Sequence, residues 1–202
     1  AMDAAKAAAL RKNHHASFND YEIQIGGDRN MTESVPPIIA IPTTAGTGSE
    51  VGRSSVVTLK KGNRKAIICG PKLLPSVALC DPELTLGLPP HITAATGMDA
   101  LTHNIEAYLS TAYHPICDTV ALGGIRLASE NLDTAVKDGG NIEARSNMML
   151  SSSMGAIAFQ KDLGAAHSMA HPLSTIAGLP HGLGNAIVLS HVMAFNKPAS
   201  IE

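Results

Sequence analysis

The stretch DPELTLGLPP, residues 81–90, separates two parts of the chain that differ in their hydrophobic pattern. Before it, short β-branched runs alternate with turn residues, which is typical of strands. After it, apolar residues recur at helical spacing over long segments. We therefore predict an α/β portion, residues 1–88, followed by an all-helical portion, residues 89–202.

The first portion is predicted to contain one helix and four short strands. Residues 1–12 are rich in alanine, which has the highest helix propensity. Residues 13–34 have the composition of an irregular polar connection, in which we expect His14 and His15 to be solvated. PPIIAIPTT is expected to be a buried strand, and a GN turn to join the second and third strands. The four predicted strands cover residues 36–44, 54–60, 64–70 and 76–81.

The second portion is predicted to be helical throughout. The sequence KDGGN ends one of its helices, because glycine is a common residue just beyond a helix C-terminus. The predicted helices cover residues 91–111, 115–136, 141–160 and 182–196.

Composition excludes several classes of function. The net charge is −2 and no long basic run is present, so neither nucleic acid nor an anionic membrane is an expected partner. No apolar stretch approaches the ~20 residues of a membrane-spanning helix. Three cysteines without a C-x-x-C pair argue against a disulfide framework and favour a reducing, cytoplasmic location.

The helix predicted over residues 91–111 presents acidic and imidazole groups on one face. Asp99 and His103 are four residues apart and can reach one metal ion. An i,i+4 Asp–His pair can equally be a plain hydrogen bond. Glu106 shares the same face, where it could orient a histidine ligand or form a surface ion pair.

The stretch HSMAHPLSTIAGLPHG, residues 167–182, adds three histidines in an apolar setting. His167 and His171 are again four residues apart, and His181 follows Leu179-Pro180, which predicts a helix start. Asp99, His103 and two of these histidines would form a four-ligand site for Zn²⁺ or Fe²⁺, with intrinsic affinity favouring Zn²⁺. The alternative is three histidines that are satisfied separately at helix ends.

TTAGTGSE, residues 43–50, is a candidate phosphate-binding loop. It follows a predicted strand, and Gly46 and Gly48 would permit close approach of a ligand to the backbone. It matches neither the Walker loop nor the G-x-G-x-x-G fingerprint, and an ordinary turn is an equally acceptable interpretation.

Taken together, five stretches resemble the iron-containing (group III) alcohol dehydrogenase family. They occur in the family's order and spacing and extend over nearly the whole chain. The stretches are MDAAKAAAL, IPTTAGTGSE, KLLPSVALCDPELTLGLP, ATGMDALTHNIEAY and HSMAHPLSTIAGLPHGLGNAIVLSHV.

The resemblance implies specific roles for site residues. It implies that His171 lies near the nicotinamide and the substrate without binding the metal, where it can relay a proton. It implies four metal ligands, which are Asp99, His103, His167 and His181. It implies that the cofactor is contacted by Thr43, Thr44, Thr47, Lys65 and Asp3.

The implied function is oxidation of an alcohol to an aldehyde or ketone, and the reverse, with NAD or NADP. Hydride would pass to the nicotinamide while the alkoxide is held on Fe²⁺ or Zn²⁺. A metal-dependent lyase of the dehydroquinate-synthase-like branch, and a metal-binding chain without turnover, are the alternatives. The implied partner is a small alcohol or aldehyde.

The resemblance also implies that residues 1–88 form part of a Rossmann-like dinucleotide-binding domain and residues 89–202 a helical metal-binding domain. In the family, a β-α-β unit and a GGGS-type turn precede MDAAK, and further helices follow the position of Glu202. We therefore expect this chain to be the middle of a longer protein. An open strand edge would favour association, so a homo-oligomer is expected.

Overall fold

The protein, described here by a computed structural model for residues 1–59 and 64–200, divides into two compact units. The first comprises Ala1–Pro42 and Ser49–Cys80, and the second comprises Thr43–Gly48 and the chain from Asp81 onward. The helices are α1 (Met2–Arg11), α2 (Pro90–Leu109), α3 (Pro115–Lys137), α4 (Ile142–Ala158), α5 (Ala165–Ile176) and α6 (His181–Asn196). The strands are β1 (Ile39–Ala40), β2 (Ser54–Leu59), β3 (Arg64–Cys69) and β4 (Val77–Ala78).

An α/β unit followed by a helical unit is the predicted order. The contacts assign residues 81–88 and the loop 43–48 to the helical unit, whereas the prediction assigned both to the first portion. The assignment of the two portions to a dinucleotide-binding and a metal-binding domain stays a prediction. None of the helices within the described ranges combines the length and apolarity that a membrane span requires.

The first unit is built on α1 and the β2–β3 hairpin. Both strands were predicted, and they pair antiparallel from Ser54 opposite Cys69 to Leu59 opposite Arg64. The predicted GN turn at residues 62–63 lies outside the described residues. A small apolar core forms between the helix, the hairpin and the connecting segment, and it contains Leu10, Tyr21, Met31, Ile68 and Leu73.

The buried strand predicted over residues 36–44 is wrong in extent and in burial. Only Ile39–Ala40 pairs, in parallel with Val77–Ala78, and Ile39 is 65% exposed. Prolines on both sides of the isoleucines lack the N–H group that a strand ladder needs. The strand predicted over residues 76–81 is shortened to Val77–Ala78, because its partner strand, β1, has only two paired residues.

Two polar side chains of the first unit are buried, and for His14 this contradicts the prediction. His14 is not solvated: its Nε2 accepts a hydrogen bond from the backbone N–H of Glu33, and its Nδ1 lies 3.2 Å from the carbonyl oxygen of Leu10. Lys6 is fully buried, and its ammonium group donates to the carbonyl oxygens of Ser49 and Gly52, each at 2.7 Å. A buried ammonium group is costly unless its N–H donors are satisfied. The hydrogen bonds of Lys6 therefore connect the segment 49–52 to α1.

The second unit contains the four predicted helices and α5. Helix α2 packs against α3, α4 and α6, and small residues permit the close approach of these helices. Asn104 of α2 illustrates this, because a Cβ at Gly124 would lie 2.0 Å from its Oδ1. The amide of Asn104 donates to the carbonyl oxygen of Ser151 in α4. Helix α2 is therefore buried on several sides, and several of its polar side chains are removed from solvent.

Candidate metal centre

One face of α2 carries three of the polar groups of the site. Asp99, His103 and Glu106 follow one another at steps of four and three residues, so a helix places them in one row. All three are buried, with 4%, 5% and 3% of their surface exposed. A row of ionisable groups inside a helical unit requires partners, because an unpaired buried charge is strongly unfavourable.

Helices α5 and α6 bring histidines to this row. His167 lies in the first turn of α5, and its Nε2 is 3.5 Å from Oδ1 of Asp99. His181 is the first residue of α6, as predicted, and its Nε2 is also 3.5 Å from the same oxygen. Nδ1 of His103 lies 3.9 Å from Oδ2 of Asp99, and the rings of His103 and His167 stack with centroids 4.4 Å apart.

The donor atoms are spaced as metal ligands are. Asp99, His103 and His167 each offer one ligand atom within 4.8 Å of the others. The two distances of 3.5 Å are close to the value of about 3.4 Å expected for ligand atoms about 2.1 Å from a tetrahedral ion. Within the described part of the chain, Nδ1 of His103 is buried without a hydrogen-bond partner. One carboxylate, several imidazoles and an unused buried nitrogen fit a divalent cation.

The protonation states of the cluster also suit a cation. Burial would raise the pKa of Asp99, but the neighbouring imidazoles lower it to about 2, and the largest single effect among them is that of His103. Burial lowers the pKa of His103 to about 4 against the attraction of Asp99. Burial would likewise lower the pKa of His167, yet the neighbouring carboxylates of Asp99 and Glu106 raise it above its ordinary value. Asp99 is therefore ionised and His103 neutral at pH 7, and in these forms both can ligate.

His171 lies beside the cluster and is exposed. Its ring centroid is 5.1 Å from that of His181, to which it is nearly parallel, and 6.3 Å from that of His167. The middle histidine of the stretch thus sits between the buried cluster and solvent.

The two open interpretations of Glu106 are resolved by its surroundings. It is not a surface group: its Oε2 lies 2.6 Å from Nδ1 of His167. Burial would raise the pKa of Glu106, but the hydrogen bonds from His167 and from the backbone of Ala166 lower it. Glu106 is therefore an ionised partner of a candidate ligand.

Asn185 is a residue of the site that sequence reasoning missed. It is fully buried on α6, and its Nδ2 donates to Oδ1 of Asp99 at 2.8 Å and lies 3.2 Å from Nε2 of His167. It follows His181 by four residues, so it shares that residue's face of the helix. The same spacing argument that paired Asp99 with His103 could have found it.

Three glycines leave the space in which the site is assembled. A Cβ at Gly155 of α4 would lie 3.0 Å from Cβ of His103, and one at Gly164 would lie 2.6 Å from Oε1 of Glu106. A Cβ at Gly182 would lie 1.9 Å from the carbonyl oxygen of Ala95, one turn before Asp99. The first turn of α6, with His181, therefore packs directly on the backbone of α2.

Gly182→Ala tests this packing. Alanine normally favours a helix over glycine by about 1 kcal/mol. Here its methyl group would meet backbone, so we expect destabilisation of about 1–3 kcal/mol. Gly184→Ala is the matched control on the same helix, because its Cβ would make an ordinary contact of 3.5 Å. Denaturant unfolding of both variants gives the comparison, and equal stability would contradict the close packing of α6 on α2.

The glycine- and threonine-containing loop belongs to the helical unit. A Cβ at Gly46 would lie 3.0 Å from Cβ of Thr96 in α2, and one at Gly48, whose φ is +60°, would lie 2.4 Å from the carbonyl oxygen of Ser152 in α4. Both glycines therefore serve packing against helices, a role the sequence did not indicate. Of the threonines assigned to the cofactor, Thr43 and Thr47 are exposed and Thr44 is half-buried.

The other two residues assigned to the cofactor lie in the first unit. Asp3 is half-buried in the first turn of α1, and its backbone oxygen accepts a hydrogen bond from Ser55. Lys65 is exposed on β3, opposite Thr58 in the register. Their role at the cofactor stays a prediction.

Comparison with known proteins assigns the family. Residues 1–82 match the family model described as iron-containing alcohol dehydrogenase, and residues 93–202 match the model described as Fe-containing alcohol dehydrogenase family, C-terminal. These ranges include every residue of the metal cluster and of the threonine loop.

Individual relatives agree with this assignment. A 4-hydroxybutyrate dehydrogenase of Cupriavidus necator is 45% identical over 98% of this chain and 53% of its own length. A 1,3-propanediol dehydrogenase of Citrobacter freundii is 43% identical over 99% of this chain and 51% of its own. The chain thus spans about half the length of the curated relatives it matches.

A solved structure also has the same fold. The sulfoacetaldehyde reductase of Bifidobacterium kashiwanohense, crystallised with NAD⁺, superimposes with a TM-score of 0.86 at 40% identity, covering 96% of this chain and 51% of that one. Both family models, the relatives and this fold lead to one conclusion: the chain belongs to the iron-containing alcohol dehydrogenase family.

Proposed function

We propose that this chain binds a divalent metal through Asp99, His103, His167 and His181 and serves the NAD-linked oxidation of a small alcohol, and the reverse reduction. The observation that carries the proposal is that two histidine nitrogens lie 3.5 Å from one oxygen of the buried carboxylate of Asp99. In a member of this family, such a donor set favours a metal centre over separately satisfied histidines.

The family description favours Fe²⁺ as the bound metal, whereas intrinsic affinity favours Zn²⁺. A thiolate is not among the proposed ligands, and a set of imidazoles with one carboxylate suits both ions. The metal, when bound, supplies Lewis acidity that lowers the pKa of a coordinated hydroxyl group, as it does for water.

The side chains of the chain contribute position and proton transfer. The ionised Asp99 lies within 3.9 Å of a ring nitrogen on each of three imidazoles, and it is itself buried from solvent. The imidazole of His171 faces solvent beside His181, where one of its nitrogens can accept the proton that an alcohol loses and pass it to water.

We propose a nicotinamide dinucleotide as the second ligand, bound in part by Thr43, Thr44 and Thr47. These side chains lie on a loop whose glycines pack closely against α2 and α4. Asp3 and Lys65 are proposed contacts in the first unit, which we take as part of a Rossmann-like domain. The NAD⁺ complex of the structural relative supports NAD, and NADP is the alternative.

The proposed substrates are short alcohols that carry a second polar group. Two relatives are named as dehydrogenases of 4-hydroxybutyrate and of 1,3-propanediol, which are primary alcohols of this kind. A dehydroquinate-synthase-like lyase and a metal-binding chain without turnover are the competing proposals.

One experiment compares these functions. The purified chain is loaded with Fe²⁺ without oxygen, or with Zn²⁺, and given NAD⁺ or NADP⁺ with 1,3-propanediol or 4-hydroxybutyrate. Metal-dependent appearance of reduced-nicotinamide absorbance would support the dehydrogenase. Bound metal with no cofactor binding and no absorbance change would instead favour a chain without turnover.

A further inference from the structure

Glu106 of α2 is bound at the N-terminus of α5. Its Oε1 accepts a hydrogen bond of 2.6 Å from the backbone N–H of Ala166, and its Oε2 accepts one of 3.2 Å from that of His167. The first N–H groups of a helix have no partner within the helix, and a carboxylate is favoured there. Sixty residues separate the carboxylate from the helix that it caps, so this contact is tertiary.

The same carboxylate also contacts the ring of His167. Oε2 lies 2.6 Å from Nδ1, and an ionised carboxylate can only accept a hydrogen bond. Nδ1 must therefore carry a proton, and in the neutral ring this leaves the lone pair on Nε2. This is the nitrogen that lies 3.5 Å from Oδ1 of Asp99.

A neighbouring contact is consistent with this tautomer. Nδ2 of Asn185 lies 3.2 Å from Nε2 of His167 and 2.8 Å from Oδ1 of Asp99. An amide N–H group can donate to both atoms only if Nε2 is unprotonated. Gly164, immediately before α5, leaves the space for the carboxylate, since a Cβ there would lie 2.6 Å from Oε1.

We propose that Glu106 is a positioning residue that fixes the tautomer and orientation of His167 and thereby sets the metal affinity of the site. This inference rests on the proposed metal centre. Helix α2 would then supply two ligands, Asp99 and His103, together with the group that orients a third. One rigid element would thus define most of the coordination geometry.

The test compares Glu106→Gln with Glu106→Asp and with a matched surface control, Glu130→Gln. Glutamine has the shape of glutamate but only one acceptor oxygen, so it cannot accept at both positions. Aspartate keeps the charge and both acceptors at a shorter reach. Glu130 is an exposed α3 residue whose partner is Arg126, so its replacement should leave the site unchanged.

Two readouts are measured on each variant: Zn²⁺ affinity by chelator competition, and the His167 tautomer in the metal-free protein by ¹⁵N NMR at a pH at which the ring is neutral. We expect Glu106→Gln to weaken Zn²⁺ binding about 10–100-fold and to move the ring proton toward Nε2. Glu106→Asp should retain the wild-type tautomer and recover part of the affinity. If Glu106 served only to cap the N-terminus of α5, both substitutions would lower the melting temperature and leave the tautomer of His167 unchanged.

Wild-type Zn²⁺ affinity or an unchanged tautomer in Glu106→Gln would overturn the proposal. If Glu106→Gln does not fold, Glu106→Asp decides, because the proposal then requires its tautomer to be that of the wild type and its affinity to be reduced. A wild-type chain that binds no Zn²⁺ would instead overturn the metal centre itself, and with it the link between Glu106 and affinity.

Discussion

Replacement of Asp99 by alanine is expected to abolish stoichiometric metal binding. Asp99 supplies the carboxylate of the cluster and lies within 3.9 Å of a ring nitrogen on each of three histidines. Without it, imidazoles alone would contact the cation, and the carboxylate that directly offsets the cost of burying its charge would be lost. The loss of metal affinity should exceed the ~10–100-fold reduction that is typical when a residue hydrogen-bonded to a ligand is replaced.

Metal content by mass spectrometry and Zn²⁺ affinity by chelator competition measure this effect. Asp133→Ala is the matched control, because Asp133 is exposed on α3, where it pairs with Lys137. Asn185 loses a hydrogen-bond acceptor when Asp99 is replaced. Circular dichroism therefore checks that the Asp99→Ala variant is still folded. Retention of one metal ion per chain at wild-type affinity would contradict the assignment of Asp99 as a ligand.

Replacement of His171 by alanine is expected to reduce turnover while the metal stays bound. General acid–base catalysis by one side chain is typically worth about 10²–10⁴-fold, and we expect a loss in this range. The ring of His171 adjoins that of His181 at 5.1 Å but is exposed, so its removal leaves the buried cluster intact. Added imidazole should restore part of the lost rate by carrying the proton.

Steady-state rates with reduced or oxidised nicotinamide, together with metal content, test this second effect. His191→Ala is the matched control, because His191 is another exposed histidine, on α6. Loss of metal from His171→Ala would show that His171 is a ligand. Wild-type turnover in the variant would show that the proton leaves by another route.

Local patterns predicted most of the helical unit. The 3.6-residue periodicity, the prolines at helix starts and the glycines beyond helix ends depend on near neighbours, so they can be read without the fold. The predicted helices accordingly agree with α2, α3, α4 and α6 to within a few residues. The start of α6 at His181 was predicted in the same way, from the preceding Leu179-Pro180.

The strands were predicted less well, because a strand exists only through its partner. The isoleucines of residues 38–41 have strand propensity, but only Ile39–Ala40 finds a paired segment, at Val77–Ala78. The hairpin of β2 and β3 is different, since its two strands are adjacent in sequence and pair along their full length. Burial of Ile39 could not be judged from propensity either.

The sequence by itself determined which groups could ligate a metal and on which helix faces they lie. The spacing of four residues between Asp99 and His103 sets their relation, whatever the rest of the chain does. Tertiary structure decided what those faces meet. It brought Glu106 into contact with His167, 61 residues away, and Gly182 allows the start of α6 to pack on the backbone of α2. Contacts of this kind depend on the packing of helices that are distant in sequence, and no local period encodes that packing.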